Sequence, residues 1–207
     1  MTLPAGVFFG KVGIGVAPAT ITFDVGNAGI GTLNGSVGTL SAPFSLTSGA
    51  GAFTLAPGRS HPVTVQFTPT AAGSAPASLA ITSNDPAHPS VNLPIGGKGV
   101  GGNLVIDVPP STPLAFGQVA RGTGVFKRFT ITNSGRGKLT GSVGALTSPF
   151  TVTRGGGAFT LLPLQSMIIG VEFAPSVKGH ATGTLTISVD SPGTPASASL
   201  TLVGTGV

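Results

Sequence analysis

The 207-residue sequence predicts an all-β chain built as two antiparallel β-sandwiches in tandem, and three observations predict it. The first is an internal repeat: residues 27–67 recur 106 residues later, at 133–173. Gly35-Ser36-Val37-Gly38 answers to Gly141-Ser142-Val143-Gly144, Pro43-Phe44 to Pro149-Phe150, and Gly51-Ala52-Phe53-Thr54-Leu55 to Gly157-Ala158-Phe159-Thr160-Leu161. Val65-Gln66-Phe67-Thr68-Pro69 likewise answers to Val171-Glu172-Phe173-Ala174-Pro175. About half of the positions from 27 to 86 are identical at this offset without a gap, which points to duplication of one module. The second observation is the period of the apolar residues, which is two throughout, with no extended stretch at helical period. The third is punctuation: the chain holds 34 Gly and 18 Pro, and turn signals recur about every ten residues.

Taken in order, the first module opens with Phe8-Phe9-Gly10-Lys11-Val12, which parallels Phe116-Gly117-Gln118-Val119 in the second. Ile21, Phe23 and Val25 then alternate with Thr20, Thr22 and Asp24, as Phe129, Ile131 and Asn133 do with Arg128, Thr130 and Thr132. Short strands are expected around 33–40, 44–47 and 53–55, followed by the Pro57-Gly58 turn and the alternating Val63, Val65 and Phe67. Leu79 with Ile81, and Val91 with Leu93 and Ile95, give the last two. About seven strands per module make two tandem immunoglobulin-like sandwiches the best fit, a closed barrel being the competitor. With neither Cys nor Trp, the antibody type is excluded.

The expected domains are residues 1–101 and 102–207. Gly97-Lys98-Gly99-Val100 is mirrored by Gly204-Thr205-Gly206-Val207, so the Gly-rich junction reads as the tail of a last strand plus a short linker. One asymmetry stands out. The second module begins with Asn103-Leu104-Val105-Ile106-Asp107-Val108, whereas eight residues precede Phe9, so the opening strand of the first module should be short or missing. Such an edge leaves backbone groups unpaired and invites a strand from elsewhere. Asn27 and Asn133 are expected to bond backbone groups at a strand end, with Gly29 and Gly135 at positive φ, and Pro69 and Pro175 to end their strands.

The ordered set Phe116-Gly117-x-Val119, Asn133-x-Gly135, Pro149-Phe150, Val171-x-Phe173-x-Pro175, Gly179, Leu185-x-Ile187 and Gly204-Thr205-Gly206 resembles the ASH or hydin-like modules, which also appear in bacteria as choice-of-anchor D repeats. The first copy supplies Phe9-Gly10-Lys11-Val12, Asn27-Ala28-Gly29, Pro57-Gly58, Val65-Gln66-Phe67-Thr68-Pro69, Gly73, Leu79-Ala80-Ile81 and Gly97-Lys98-Gly99. The resemblance implies an immunoglobulin-like sandwich related to the major sperm protein and pilus-chaperone folds, used without catalysis in cilia and centrosomes, in filament assembly and on bacterial surfaces. It carries over no catalytic residues. The chain departs from it in the shortened first module and in its low charge.

Only 7% of residues are charged, which suits a chain packed against neighbours and favours an extracellular or cell-surface setting, with cytoplasmic or virion-associated settings as alternatives. The formal charge of +5 is uneven. Residues 1–103 carry Lys11, Arg59 and Lys98 against Asp24 and Asp85; residues 104–207 carry seven basic side chains against Asp107, Glu172 and Asp190. Nucleic-acid binding is not expected, because the Phe residues lie on core-facing phases and no helix is available to enter a groove. Without Cys there is no disulfide, thiolate or zinc cluster. No apolar run of about 18 residues suggests a transmembrane helix, and residues 1–17 lack a basic stretch followed by an apolar core.

The supply of catalytic groups is thin. His61, His88 and His180 are scattered, and Ser60-His61 has no acid nearby in sequence. Gly97-Lys98-Gly99-Val100-Gly101-Gly102 formally matches a dinucleotide fingerprint, but a strand rather than a helix is expected after it. Asn84-Asp85 is too little for calcium, and Asn34-Gly35-Ser36 fits a glycosylation sequon. No enzyme, cofactor or metal is expected. The expected partner is protein, either copies of the chain in an oligomer or filament formed by β-strand addition, or a larger surface array. A ligand- or glycan-binding adhesion module, or a ciliary or cytoskeletal scaffold, are the alternatives, although the absence of Trp and Tyr weakens a lectin reading. The candidate interaction residues are Phe8, Phe9 and Lys11 at the shortened edge and Arg136, Lys138 and Arg154 in the second module.

Overall fold

A computed structural model describes residues 1–109, 111–190 and 192–207. The alternation read from the sequence becomes strands, and the described residues contain no helix. The chain divides into two compact units, Met1–Val100 and Gly101–Val207. The first holds β1 (Val7–Gly13), β2 (Ala19–Gly26), β3 (Leu33–Val37), β4 (Phe44–Ser48), β5 (Gly51–Leu55), β6 (Ser60–Phe67), β7 (Gly73–Ser83) and β8 (Ser90–Val100). The second holds β9 (Leu104–Ile106), β10 (Leu114–Val119), β11 (Val125–Asn133), β12 (Leu139–Val143), β13 (Phe150–Arg154), β14 (Gly157–Leu161), β15 (Ser166–Phe173), β16 (Gly179–Val189) and β17 (Ser197–Gly206). Each last strand runs through its Gly-rich tail, as the mirrored signature indicates.

Each unit is a sandwich. The first packs a three-stranded sheet, β2-β6-β4, on a five-stranded one, β1-β8-β7-β3-β5; the second packs β13-β15-β11-β9 on β10-β17-β16-β12-β14. The strands pair antiparallel, as expected, except at one place in each unit, where β1 lies parallel to β8 and β10 parallel to β17. The cause of these parallel pairs is a change of sheet. The chain touches the smaller sheet first, at Thr2 or along β9, and then crosses to the free edge of the last strand, where it runs in that strand's direction.

Both cores are centred on a trio of phenylalanines. Phe44 and Phe67 stack at 4.6 Å between ring centroids, with Phe9 tilted against them at 5.9 and 5.5 Å. Phe150, Phe173 and Phe116 repeat the arrangement at 4.8 and 5.7 Å. Gly97 and Gly204 belong to this packing, since a Cβ there would lie 2.4 and 2.5 Å from the rings of Phe67 and Phe173. Truncating such a buried ring to Ala costs about 3–5 kcal/mol.

The repeated asparagines are buried. Asn27 Nδ2 donates to the carbonyls of Gly31 and Leu55 at 2.8 and 2.9 Å, while its Oδ1 accepts from the Gly29 N–H at 3.0 Å. Asn133, with 0% of its surface exposed, does the same with Gly137, Leu161 and Gly135, and accepts a further bond from the Asn103 N–H at 3.0 Å. One side chain thus ties a strand end to two loops. Neither Gly29 nor Gly135 has positive φ, contrary to expectation. Gly135 is needed for room instead, because a Cβ there would meet the Asn103 nitrogen at 2.5 Å.

The opening strands each contain a bulge. The register of β1 against β8 shifts between Phe8 and Lys11, and that of β10 against β17 between Ala115 and Gln118. Gly10 and Gly117 take the required left-handed backbone, at φ 64° and 74°. Because the bulge adds a residue, Phe8 and Lys11 reach the same outer face although three positions apart, while Phe9 between them turns into the core.

Candidate interaction surfaces

The edges of β2 and of its counterpart β11 are unlike. In the second unit β9 pairs with Ile131, Thr132 and Asn133, and Asp107 extends the cover. The Asp107 N–H donates to the Thr130 carbonyl at 3.1 Å, and the Thr130 N–H donates to Asp107 Oδ1 at 2.8 Å. In the first unit Thr2 alone bridges Gly26, by reciprocal backbone bonds of 2.9 and 3.0 Å. Two residues on, Pro4 stands where Asp107 stands, with no N–H to give and no carboxylate. By the alternation of an antiparallel ladder, the N–H and C=O groups of Thr20, Thr22 and Asp24 point outward, as those of Gly26 do. They have no partner among the described residues. In the second unit only Phe126 and Arg128 are left in this state. The shortened opening strand read from the sequence is thus a single bridge.

The outer face of the five-stranded sheet in the first unit carries a shallow depression of about 580 Å³. Its rows follow from register. Phe8, Gly96 and Pro76 lie side by side, and Lys11, Lys98 and Ser74 form the next row. Pro94 flanks the apolar row on the far side. The Phe8 ring is 66% exposed and lies over Gly6 and Gly96, where a Cβ would come within 2.6 and 3.2 Å of it. The second unit puts Ala115, Val203, Thr182, Gln118 and Thr205 at the corresponding places.

Of the residues singled out from sequence, Phe8 and Lys11 come together on this face, while Phe9 is used up in the aromatic core. Arg136 and Lys138 are exposed in the turn between β11 and β12, and Arg154 closes β13. Among the described residues no ion pair joins the three. Arg154 instead faces Arg128 across Gly170, both being register partners of that glycine, and Phe126 and Ile168 lie exposed in the adjoining rows. A depression of about 640 Å³ opens beside Arg154 and Ile168. Sequence reasoning passed over Arg128, although its phase, shared with Phe126 and opposite to Phe129, marks it as outward. The ion pairs among the described residues are those of Asp85 with the Met1 amino group and with His88, so no basic side chain of the second unit is paired.

His61, His88 and Asp85 make local contacts. His61 stacks on Phe53 at 5.4 Å, and its Nε2 lies 3.1 Å from the Gly49 carbonyl. His88 Nδ1 lies 3.1 Å from Asp85. His180 is exposed at the start of β16. The Met1 amino group, then His88 and the Ala87 N–H, hold the Asp85 carboxyl well below the usual carboxylate range. Among the described residues no three His, Asp or Glu side chains are grouped to hold a metal, and no helix is long and apolar enough to cross a membrane.

Residues 110–205 match the model of the HYDIN/CFA65/VesB-like Ig-like domain, so the resemblance read from the second copy's motifs holds. No curated protein matches the chain. Among solved structures, a Porphyromonas gingivalis W83 protein of unknown function is similar at 16% identity and TM-score 0.41, over 97% of this chain and 96% of that one. The ASH/PapD-like domain 7 of human CEP192 is similar at 8% identity and TM-score 0.41, over 50% and 84%. The Pseudomonas aeruginosa CupB2 chaperone is similar at 12% identity and TM-score 0.34, over 97% of each.

Proposed function

With residues 110–205 matching the model of an Ig-like domain family and their framework repeated in the first unit, we propose that the chain is a non-catalytic protein-binding tandem module that takes up a partner strand at the edge of β2. The carrying observation is the unpaired outward backbone of Thr20, Thr22 and Asp24, where β11 has β9 and Asp107. An added strand satisfies these groups, each hydrogen bond contributing about 0.5–1.5 kcal/mol net. The partner strand comes from a second copy or from another component of an extracellular or cell-surface array. The low charge supports the reading, since little repulsion opposes close packing of copies.

The Thr22→Pro variant tests it. Proline at this edge removes an outward N–H while leaving the ladder to β6 intact. Light scattering and electron microscopy are expected to show concentration-dependent assemblies of the wild-type chain that Thr22→Pro abolishes. Dispersed wild-type monomers at high concentration, or assemblies indifferent to the proline, would sink the self-assembly reading.

A second reading, binding of an anionic ligand or glycan by the second unit, is favoured by Arg128 and Arg154 flanking Gly170. Two guanidinium groups with no side chain between them suit one carboxylate, sulfate or phosphate. Glycan-array binding lost in Arg128→Gln and Arg154→Gln would favour it over assembly.

A further inference from the structure

The depression on the five-stranded sheet of the first unit combines two features that folding alone does not favour. Lys11 and Lys98 are register partners on adjacent strands and both are exposed, an arrangement of like charges that destabilises a sheet. Neither is in an ion pair among the described residues. One row along, the Phe8 ring stands 66% exposed beside Gly96, between Pro76 and Pro94. Both features depend on the Gly10 bulge, which brings Phe8 and Lys11 to one face. The second unit keeps the bulge at Gly117 but has Ala115, Gln118 and Thr205 in place of Phe8, Lys11 and Lys98. The framework therefore does not need them.

We infer that this face binds a peptide segment of a partner protein in which an acidic side chain and an apolar one point the same way. The carboxylate lies between the ammonium groups of Lys11 and Lys98, with the Ser74 hydroxyl beside them, and relieves their repulsion. The apolar side chain lies on the exposed face of the Phe8 ring, beside Pro76 and Pro94. The two rows are two residues apart along β8, about 6.5–7 Å, which is the spacing of alternate side chains on an extended segment. The pattern recognised is acidic-x-apolar. Charge complementarity selects the occupant: a wholly apolar segment would leave the lysine pair uncompensated, and an inorganic anion would leave the Phe8 ring in water. The site lies on the opposite sheet from β2 and does not depend on strand addition there.

A random heptapeptide display selected on the full chain tests this, followed by fluorescence anisotropy of the recovered peptides. The expected result is enrichment of acidic-x-apolar sequences whose binding falls at least tenfold in Phe8→Ser and in the double variant Lys11→Gln, Lys98→Gln, and weakens with salt. Thr22→Pro should leave it unchanged, which separates this site from the β2 edge. Circular dichroism identifies any loss of fold in Phe8→Ser, and the exposed lysines supply an independent reading. Recovered peptides without an acidic residue, binding equal in all variants, or full competition by inorganic phosphate with no peptide preference would each overturn the inference.

Discussion

Phe8 stands exposed in the first unit where the second has Ala115, and Arg128 and Arg154 stand exposed in the second where the first has Thr22 and Ser48. Inside, the units share one framework: a trio of packed phenylalanines, a glycine against one of them, and a buried asparagine with three bonds in common. The difference teaches where each kind of constraint acts. Inward phases and strand ends are fixed by packing and by buried polar groups that need partners. Outward phases carry no such demand, and it is there that the two units differ.

The largest expected effect tests the likeness of the interiors. Asn133→Ala strands two carbonyls and two N–H groups, and Asn27→Ala two carbonyls and one N–H. Both should destabilise by about 2–4 kcal/mol, with Asn133 the worse by about 1 kcal/mol. Hydrogen exchange of the loop amides, read in each unit, is the measurement. Equal costs would mean that the bond from Asn103 adds nothing.

A smaller effect removes the contrast between the edges. Pro4→Asp gives β2 the cap that Asp107 gives β11, so the Asp24 amide should gain protection from exchange, by about 1 kcal/mol. Association of the chain should weaken in parallel. Protection without weaker association would separate the edge from assembly.

The smallest effect is confined to the first unit and fades in acid. Because the Asp85 carboxyl is held below its ordinary value of 3.8, its contribution is present above that pH and is lost as the pH falls below it. Asp85→Asn should therefore lower stability toward urea slightly at pH about 6, by an amount that shrinks as the pH falls through 3.8 and is reduced but not gone near pH 2.5, because the folded-state carboxyl stays ionised well below its ordinary value. A difference that does not shrink at all over this range would mean that the asparagine disturbs the turn itself.

Much of the framework was legible in the sequence because it rests on period and repetition. Alternating Ile21, Phe23 and Val25 could only be a strand with one face buried, and Asn27 recurring as Asn133 marked a polar group with a structural task. The surfaces were harder to read for a definite reason. Adjacent Phe8 and Phe9 cannot both be outward in a regular strand, and which turns inward is decided by the bulge at Gly10, which alternation does not show. Arg128 and Arg154 meet across Gly170 only through the register of three strands. Parallel pairing of β1 was hidden because it follows from a crossing between sheets.

The unequal edges also have a consequence for symmetry. An edge that pairs with its own copy relates two chains by a two-fold axis and stops there; growth beyond two requires a different, complementary edge. In this chain β2 is open along three outward-pointing residues, ending in Asp24, and β11 along two, ending in Arg128. Pairing of β2 with β2 would give a closed dimer, whereas pairing of β2 with β11 of the next copy would give a polar chain with distinguishable ends. A single proline, Pro4, leaves both routes open by keeping the longer edge bare.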